Sequence, residues 1–462
     1  PNDLVLLLRL MRGAVGEDVS QARQAIIGHL ETNYLNDVQA TKRMALSQWR
    51  DVAQLLASYL APEVRESWCA EMRGAFAGDR AAALLLDPEE VNSLVDCTAA
   101  LGESQAADLG VLWLTEKMPS AKNKPLALAR MARTTAKREP GAMVPLMAEL
   151  EEIWLASDAV AAGDLRLIDA IAWAYSAMGE YEKDHEWIMR GYAAVVGTEK
   201  ARSDVTVQEL HRLAIMLEEH ALLGPEWNHK AFAMALGRLA RTGGLSSGGH
   251  EVLAFPLGSA EARQVLATEL LDSEGSPRLG VAKVLSWAHR RAGEFDPWRM
   301  LVDEKMTASS GDQKAFWLAI RGYTDTLVPT EPDPSRRLAW LKKALQVAQT
   351  DGAKVRLLEE IGEFYKEIDR PNLAVEVIDS VRAQFGGEAA QKVDRLHMQL
   401  GRVVARRELQ RERAKARVQV SRREAKLAYC RERLSRARER GDTEAVARLE
   451  AAIRQLEHEL GH

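Results

Sequence analysis

The stretch LLEEIGEFYKEIDRPNLAVEVIDSV, Leu357 to Val381, decides the fold. Apolar residues recur every three or four positions on each side of an Asp369-Arg370-Pro371 break, the pattern of two amphipathic helices joined by a tight turn. Three earlier segments repeat it: SLVDCTAALGESQAADLGVLWLTEKMP (Ser93 to Pro119), LIDAIAWAYSAMGEYEKDHEWIMRGYAAV (Leu167 to Val195) and VAKVLSWAHRRAGEFDPWRMLV (Val281 to Val302). Their turn residues Gly102, Gly179, Gly293 and Asp369 are 77, 114 and 76 residues apart, close to two, three and two periods of about 38. The same period predicts turns near 140, 217, 255 and 331. KREPGA, AFPLGS and PTEPDPS supply Pro and Gly at three of those places, while LLGPEW arrives late, at Gly224.

These segments resemble tetratricopeptide repeats. In the last of them Leu358, Ile361, Gly362, Tyr365, Ala374, Ile378 and Val381 fall at the family's signature offsets. In the second, Tyr175, Gly179 and Tyr181 match, but Asp184 and Gly191 stand where alanine is usual. The resemblance covers roughly residues 88 to 385. It implies a right-handed superhelix whose concave face holds a peptide or partner protein. The family's carboxylate clamp needs Lys and Asn at set first-helix positions, and that set is not found here.

Composition agrees with helices. Of 462 residues, 47% are hydrophobic, 28% charged and only 6% aromatic, with Ala, Leu, Arg and Glu dominant over β-branched residues. The expected fold is all-α: a tetratricopeptide-like solenoid followed by a C-terminal antiparallel coiled-coil hairpin. Residues 1–87 read as an N-terminal cap or extension, with three helices between 17 and 80. Residues 88–385 read as the repeats and 388–462 as the basic hairpin. RTGGLSSGGHEVLAFPLGS (Arg241 to Ser259) breaks the rhythm, and one helix of the fifth pair is expected to be shortened there.

Cys69, Cys97 and Cys430 lack CxxC spacing, so neither a disulfide framework nor a zinc site is indicated. A reducing, cytoplasmic setting is the expectation, with export left open because the chain starts at Pro1. No apolar run reaches the 18 or so residues of a membrane span. The Gly-rich loop has no GxxxxGK[ST] and reads as a connector rather than a nucleotide site. KDHEW (Lys183 to Trp187) and LEEHALL (Leu217 to Leu223) place carboxylates beside histidines. Adjacent helical residues do not face one another, so these read as solvated or capping. Cys97 reads as a buried small hydrophobe, and Trp113, Trp173, Trp187, Trp287, Trp298 and Trp317 as core. No catalytic, metal or cofactor-binding residues emerge.

The charge is concentrated. Residues 402–440 hold fifteen Lys or Arg against five Glu, a net of +10, and the remainder carries −15. Wound as a helix, Leu409, Ala416, Val420 and Leu427 form an apolar seam, with Leu434 continuing it. Arg407, Arg411, Lys415, Arg422 and Lys426 gather opposite. After Gly441, Val446, Leu449, Ile453, Leu456 and Leu460 repeat at heptad spacing, so the chain is expected to fold back as a helical hairpin. A non-enzymatic scaffold or adaptor is the expected function, with an acidic protein surface as partner and oligomerisation through the seam an open alternative. Nucleic-acid association through the basic helix, or a place as regulatory or substrate subunit of an enzyme complex, are the other readings.

Overall fold

The structure, a computed structural model, describes residues 2–11, 17–103, 106–245, 248–328, 334–410, 434 and 450–454. The chain is all-α: every regular element among the described residues is a helix. It begins with α1 (Asn2–Leu10), α2 (Glu17–Asn33), the single turn α3 (Val38–Thr41), α4 (Leu46–Leu56), α5 (Pro62–Phe76) and the single turn α6 (Arg80–Ala83). The three helices expected between 17 and 80 are α2, α4 and α5. Trp49 and Trp68 meet edge to face at 6.2 Å in their shared core, and the Trp49 indole donates to the Thr41 carbonyl at 2.9 Å.

Paired helices follow. They are α7 (Pro88–Ala100) with α8 (Ala106–Lys117), α9 (Pro125–Ala136) with α10 (Pro140–Leu155), and, after the single turn α11 (Asp158–Ala161), α12 (Leu165–Ala177) with α13 (Tyr181–Tyr192). The short α14 (Glu199–Asp204) leads to α15 (Val207–Glu219) and α16 (Lys230–Arg241). Next come α17 (His250–Leu253), reduced to one turn as the Gly-rich segment foretold, and α18 (Ala260–Ala267). The series continues with α19 (Leu279–Arg291), α20 (Phe295–Ala308), α21 (Gly311–Thr326), α22 (Pro334–Val347), α23 (Asp351–Glu367), α24 (Pro371–Arg382) and a helix over 387–410, α25.

Contacts gather into two units, residues 1–272 with 280–295, and residues 273–279 with 296–462. In the first unit α7 lies between α4 and α9, and α12 packs on α9, α13 and α15. In the second, α21 packs on α22 and α23, α23 on α24, and Val393, Leu396 and Leu400 of α25 join the same core. Of the seven residues singled out in the opening stretch, Leu358, Ile361, Gly362, Tyr365, Ala374 and Ile378 are buried, and Val381 is half-buried against the same core.

Seven of the described helices end in the same way. In each, one residue turns left-handed and the next amide reaches back over the last turn, the Schellman closure. The left-handed residues are Gly102 (φ 91°), Gly163 (φ 75°), Gly179 (φ 81°), Ala221 (φ 57°), Gly243 (φ 80°), Gly293 (φ 74°) and Asp369 (φ 60°). The returning bonds run from Glu103 to Thr98, Asp164 to Ala159, Glu180 to Tyr175, Leu222 to Leu217, Gly244 to Leu239, Glu294 to His289 and Arg370 to Tyr365, at 2.8–3.1 Å. Four of these residues are the turn residues that the spacing singled out. Gly163 and Gly243 close α11 and α16 off the period, while Ala221 is the late one, the turn sitting there and not at Gly224. Alanine tolerates the left-handed region badly, so it gives no compositional signal there.

Four of the six tryptophans read as core are fully buried: Trp113, Trp187, Trp298 and Trp317. Trp173 and Trp287 are half-buried, and Arg133 and Arg290 lie over their rings at 5.1 and 5.0 Å.

Candidate functional site

Three helices of the first unit converge on one imidazole. Asp169 and Trp173 are one turn apart on α12 and share a face. Asp184 lies on the buried side of α13, at one of the two positions where the repeat pattern favours alanine. The neighbouring departure, Gly191, lets α13 come close, since a β-carbon there would stand 3.2 Å from Leu165 and Ile168. The end of α15 then swings His220 into the gap as its C-cap residue, and the Ala221 closure fixes the direction.

His220 Nδ1 stands 2.6 Å from an Asp184 carboxylate oxygen, and Nε2 stands 3.6 Å from one of Asp169. The His220 side chain is wholly buried, Asp184 is 3% exposed and Asp169 17%. Trp173 covers the imidazole with ring centres 4.7 Å apart, and the Arg133 guanidinium lies on the other side of the same indole. Burial alone would push the His220 pKa down. The Asp169 and Asp184 carboxylates beside the ring overcome it and push it up to about 9. The ring is therefore an imidazolium at neutral pH, and it offsets two carboxylates that are costly to bury unpaired.

The solvated or capping reading of this histidine holds for its backbone alone. The side chain is neither solvated nor directed at its own acidic neighbours Glu218 and Glu219. Its partners come from positions 169 and 184, which no local pattern connects to 220. The KDHEW histidine is different: His185 stands edge-on to Trp227 at 5.9 Å. Cys97 is buried as expected, with its thiol pushed up by burial. Cys69 is buried too, and burial together with Glu103 pushes its thiol up to about 11, away from nucleophile chemistry at neutral pH. Among the described residues no cluster of His, Cys, Asp and Glu is arranged to hold a metal ion.

A second polar region of the first unit is a cleft of roughly 870 Å³ between the α3–α4 and α7–α9 segments. Lys42, Arg50, Arg130, Glu89, Glu90 and Asn92 line it. Arg130 pairs with Glu89 at 2.9 Å, and the buried Asn92 accepts from Thr134 at 2.7 Å.

Of the residues singled out on the C-terminal run, Arg407 and Leu409 belong to α25. Arg411, Lys415, Arg422, Lys426, Ala416, Val420 and Leu427 lie outside the described residues, as does most of the return helix. Arg407 pairs with Asp369 at 2.5 Å, so the left-handed turn residue of α23 supplies an acid that the run itself lacks. Leu409 is 49% exposed. No described helix is long and apolar enough to cross a membrane. Compared with known proteins, the chain matches no protein-family model, no curated protein and no solved structure.

Proposed function

We propose that the chain is a tetratricopeptide-like solenoid acting as a non-enzymatic scaffold or adaptor, which docks a protein partner through its repeats and its basic C-terminal hairpin. The observation that supports this reading is one helix closure at Gly102, Gly179, Gly293 and Asp369, spaced 77, 114 and 76 residues apart, with the same closure also at Gly163, Ala221 and Gly243. A closure repeated at multiples of one period is what stacked helical hairpins require, and such stacks present extended surfaces rather than one enclosed pocket. The polar cleft at Lys42, Arg50 and Arg130 and the exposed Leu409 are surfaces of that kind. The basic run, set against an acidic remainder, suits an acidic protein surface.

A pull-down from the native source with the full chain, and with the chain ending at residue 387, tests the proposal. A protein partner retained by the full chain and lost or weakened by the truncation supports it. Retention of RNA or DNA in place of protein overturns it in favour of nucleic-acid association.

A further inference from the structure

The connector between α15 and α16 is bounded by two buried histidines in opposite electrical states. At its start His220 sits between Asp184 on α13 and Asp169 on α12, under Trp173, with Arg133 of α9 beyond the indole. At its end His229 is 2% exposed. His229 Nε2 is 2.9 Å from the Leu222 carbonyl, a bond only an N–H can make, and its Nδ1 is buried without a hydrogen-bond partner among the described residues. The Tyr192 ring of α13 lies 5.8 Å away, and Tyr192 in turn accepts from the Phe232 amide and faces Arg202 of α14. Glu226, within the connector, is the acidic group that acts on His229. Between the imidazoles, Leu222 is fully buried, and Trp227 rests against His185 of α13.

We propose that residues 220–229 form a two-sided pH latch, shut only while His220 carries its second proton and His229 does not. A proton added to His229 must go to Nδ1, where it buries a charged donor with nothing to receive it. A proton taken from His220 turns one ring nitrogen's lone pair toward a carboxylate and leaves two buried acids facing a neutral ring. Both ends are thus held by protonation, in opposite senses. Burial pushes the His229 pKa below the ordinary value of about 6.5, so that end is secure above that pH and loosens as pH falls. His220, pushed up to about 9, is secure below about 6.5 and loosens as pH rises through 9.

Amide hydrogen exchange of the full chain over about pH 5 to 10, corrected for intrinsic exchange rates, tests the latch. Protection of residues 220–229 should be greatest near pH 6.5 and fall on both sides by at most roughly tenfold per pH unit, on the alkaline side between about 6.5 and 9 and on the acid side below about 6.5, levelling off once each folded-state titration is passed. It should fall before protection in α12 and α13 does. His229→Gln keeps a donor for the Leu222 carbonyl but cannot titrate, and should remove the acid limb alone. His220→Gln should remove the alkaline limb alone. If that variant does not fold, Asp169→Asn should shift the alkaline limb to lower pH. Protection that stays flat across the range in the wild type overturns the proposal. So does an acid limb unchanged in His229→Gln, or an alkaline limb unmoved in both His220→Gln and Asp169→Asn.

Discussion

Ala221 occupies a backbone conformation that costs a side-chain-bearing residue about 1 kcal/mol or more, and five of its six counterparts among the described residues are glycine. Ala221→Gly should relieve that strain. Part of the gain is offset by the greater freedom of glycine in the unfolded chain, leaving a net stabilisation of about 0.5 kcal/mol. A denaturant midpoint that falls instead would show that the Ala221 methyl contributes packing. One residue earlier, His220 links stability to pH. Its folded pKa lies above the unfolded value, so its contribution is complete below about pH 6.5 and gone above about 9, amounting to roughly 3 kcal/mol. Ala374, a small residue of the repeat pattern, is fully buried in the core that also holds Leu358, Ile361 and Ile378. Ala374→Arg should destabilise by several kcal/mol, and a loss under about 0.5 kcal/mol in urea unfolding would refute that register. These residues differ in how far the sequence exposes them. Ala374 belongs to a local period, whereas the carboxylates of His220 are drawn from two other helices, and a local pattern holds no record of them.

Among the elements, the turns were the most legible. A left-handed C-terminal residue is usually glycine, so Gly102, Gly179 and Gly293 announce themselves, and Asp369 does so through the following Arg-Pro. α15 escaped because its closure uses alanine, and the nearest turn residues, Gly224 and Pro225, belong to the long connector that follows. The Gly-rich segment before α17 was read as a loss of helix, and the single turn His250–Leu253 is what remains. Its glycines are not equivalent. Gly249 has φ 87°, and a β-carbon there would stand 1.9 Å from His211 Cε1, whose ring also bonds the Gly249 carbonyl at 3.0 Å. Gly248 has open space. Gly249→Ala should therefore cost about 1–3 kcal/mol, while Gly248→Ala should lie within about 0.5 kcal/mol of wild type. Thermal unfolding of the two variants side by side checks the pair, and equal behaviour would contradict the left-handed geometry at 249.

For the whole molecule the segregation of charge is the dominant fact, +10 over residues 402–440 against −15 elsewhere. Replacing Arg407, Arg411, Lys415, Arg422 and Lys426 with Gln should weaken partner binding in a salt-sensitive way and leave the repeats folded. Binding equal to wild type at about 150 mM salt, where screening acts within roughly 8 Å, would reduce this face to a solvated helix surface. The variant should also lose the Arg407–Asp369 pair, a partly exposed contact worth about 1 kcal/mol or less. The helical class and its rhythm could be read from the sequence because both follow from spacing between near neighbours. The buried His220 cluster could not, because it depends on which helices lie side by side.

The seven like closures also bear on how the chain would respond to tension. Each is completed by a bond between residues only five apart, so a helix end can give way without waiting for any distant strand or staple to part. Held by its two ends in an optical trap, the protein should lengthen in a staircase of small yields. One helical pair of about 38 residues would release up to roughly 130 Å of contour per step. On slackening, the same local closures should let it retake those steps with little hysteresis, as a spring does and a clasp does not.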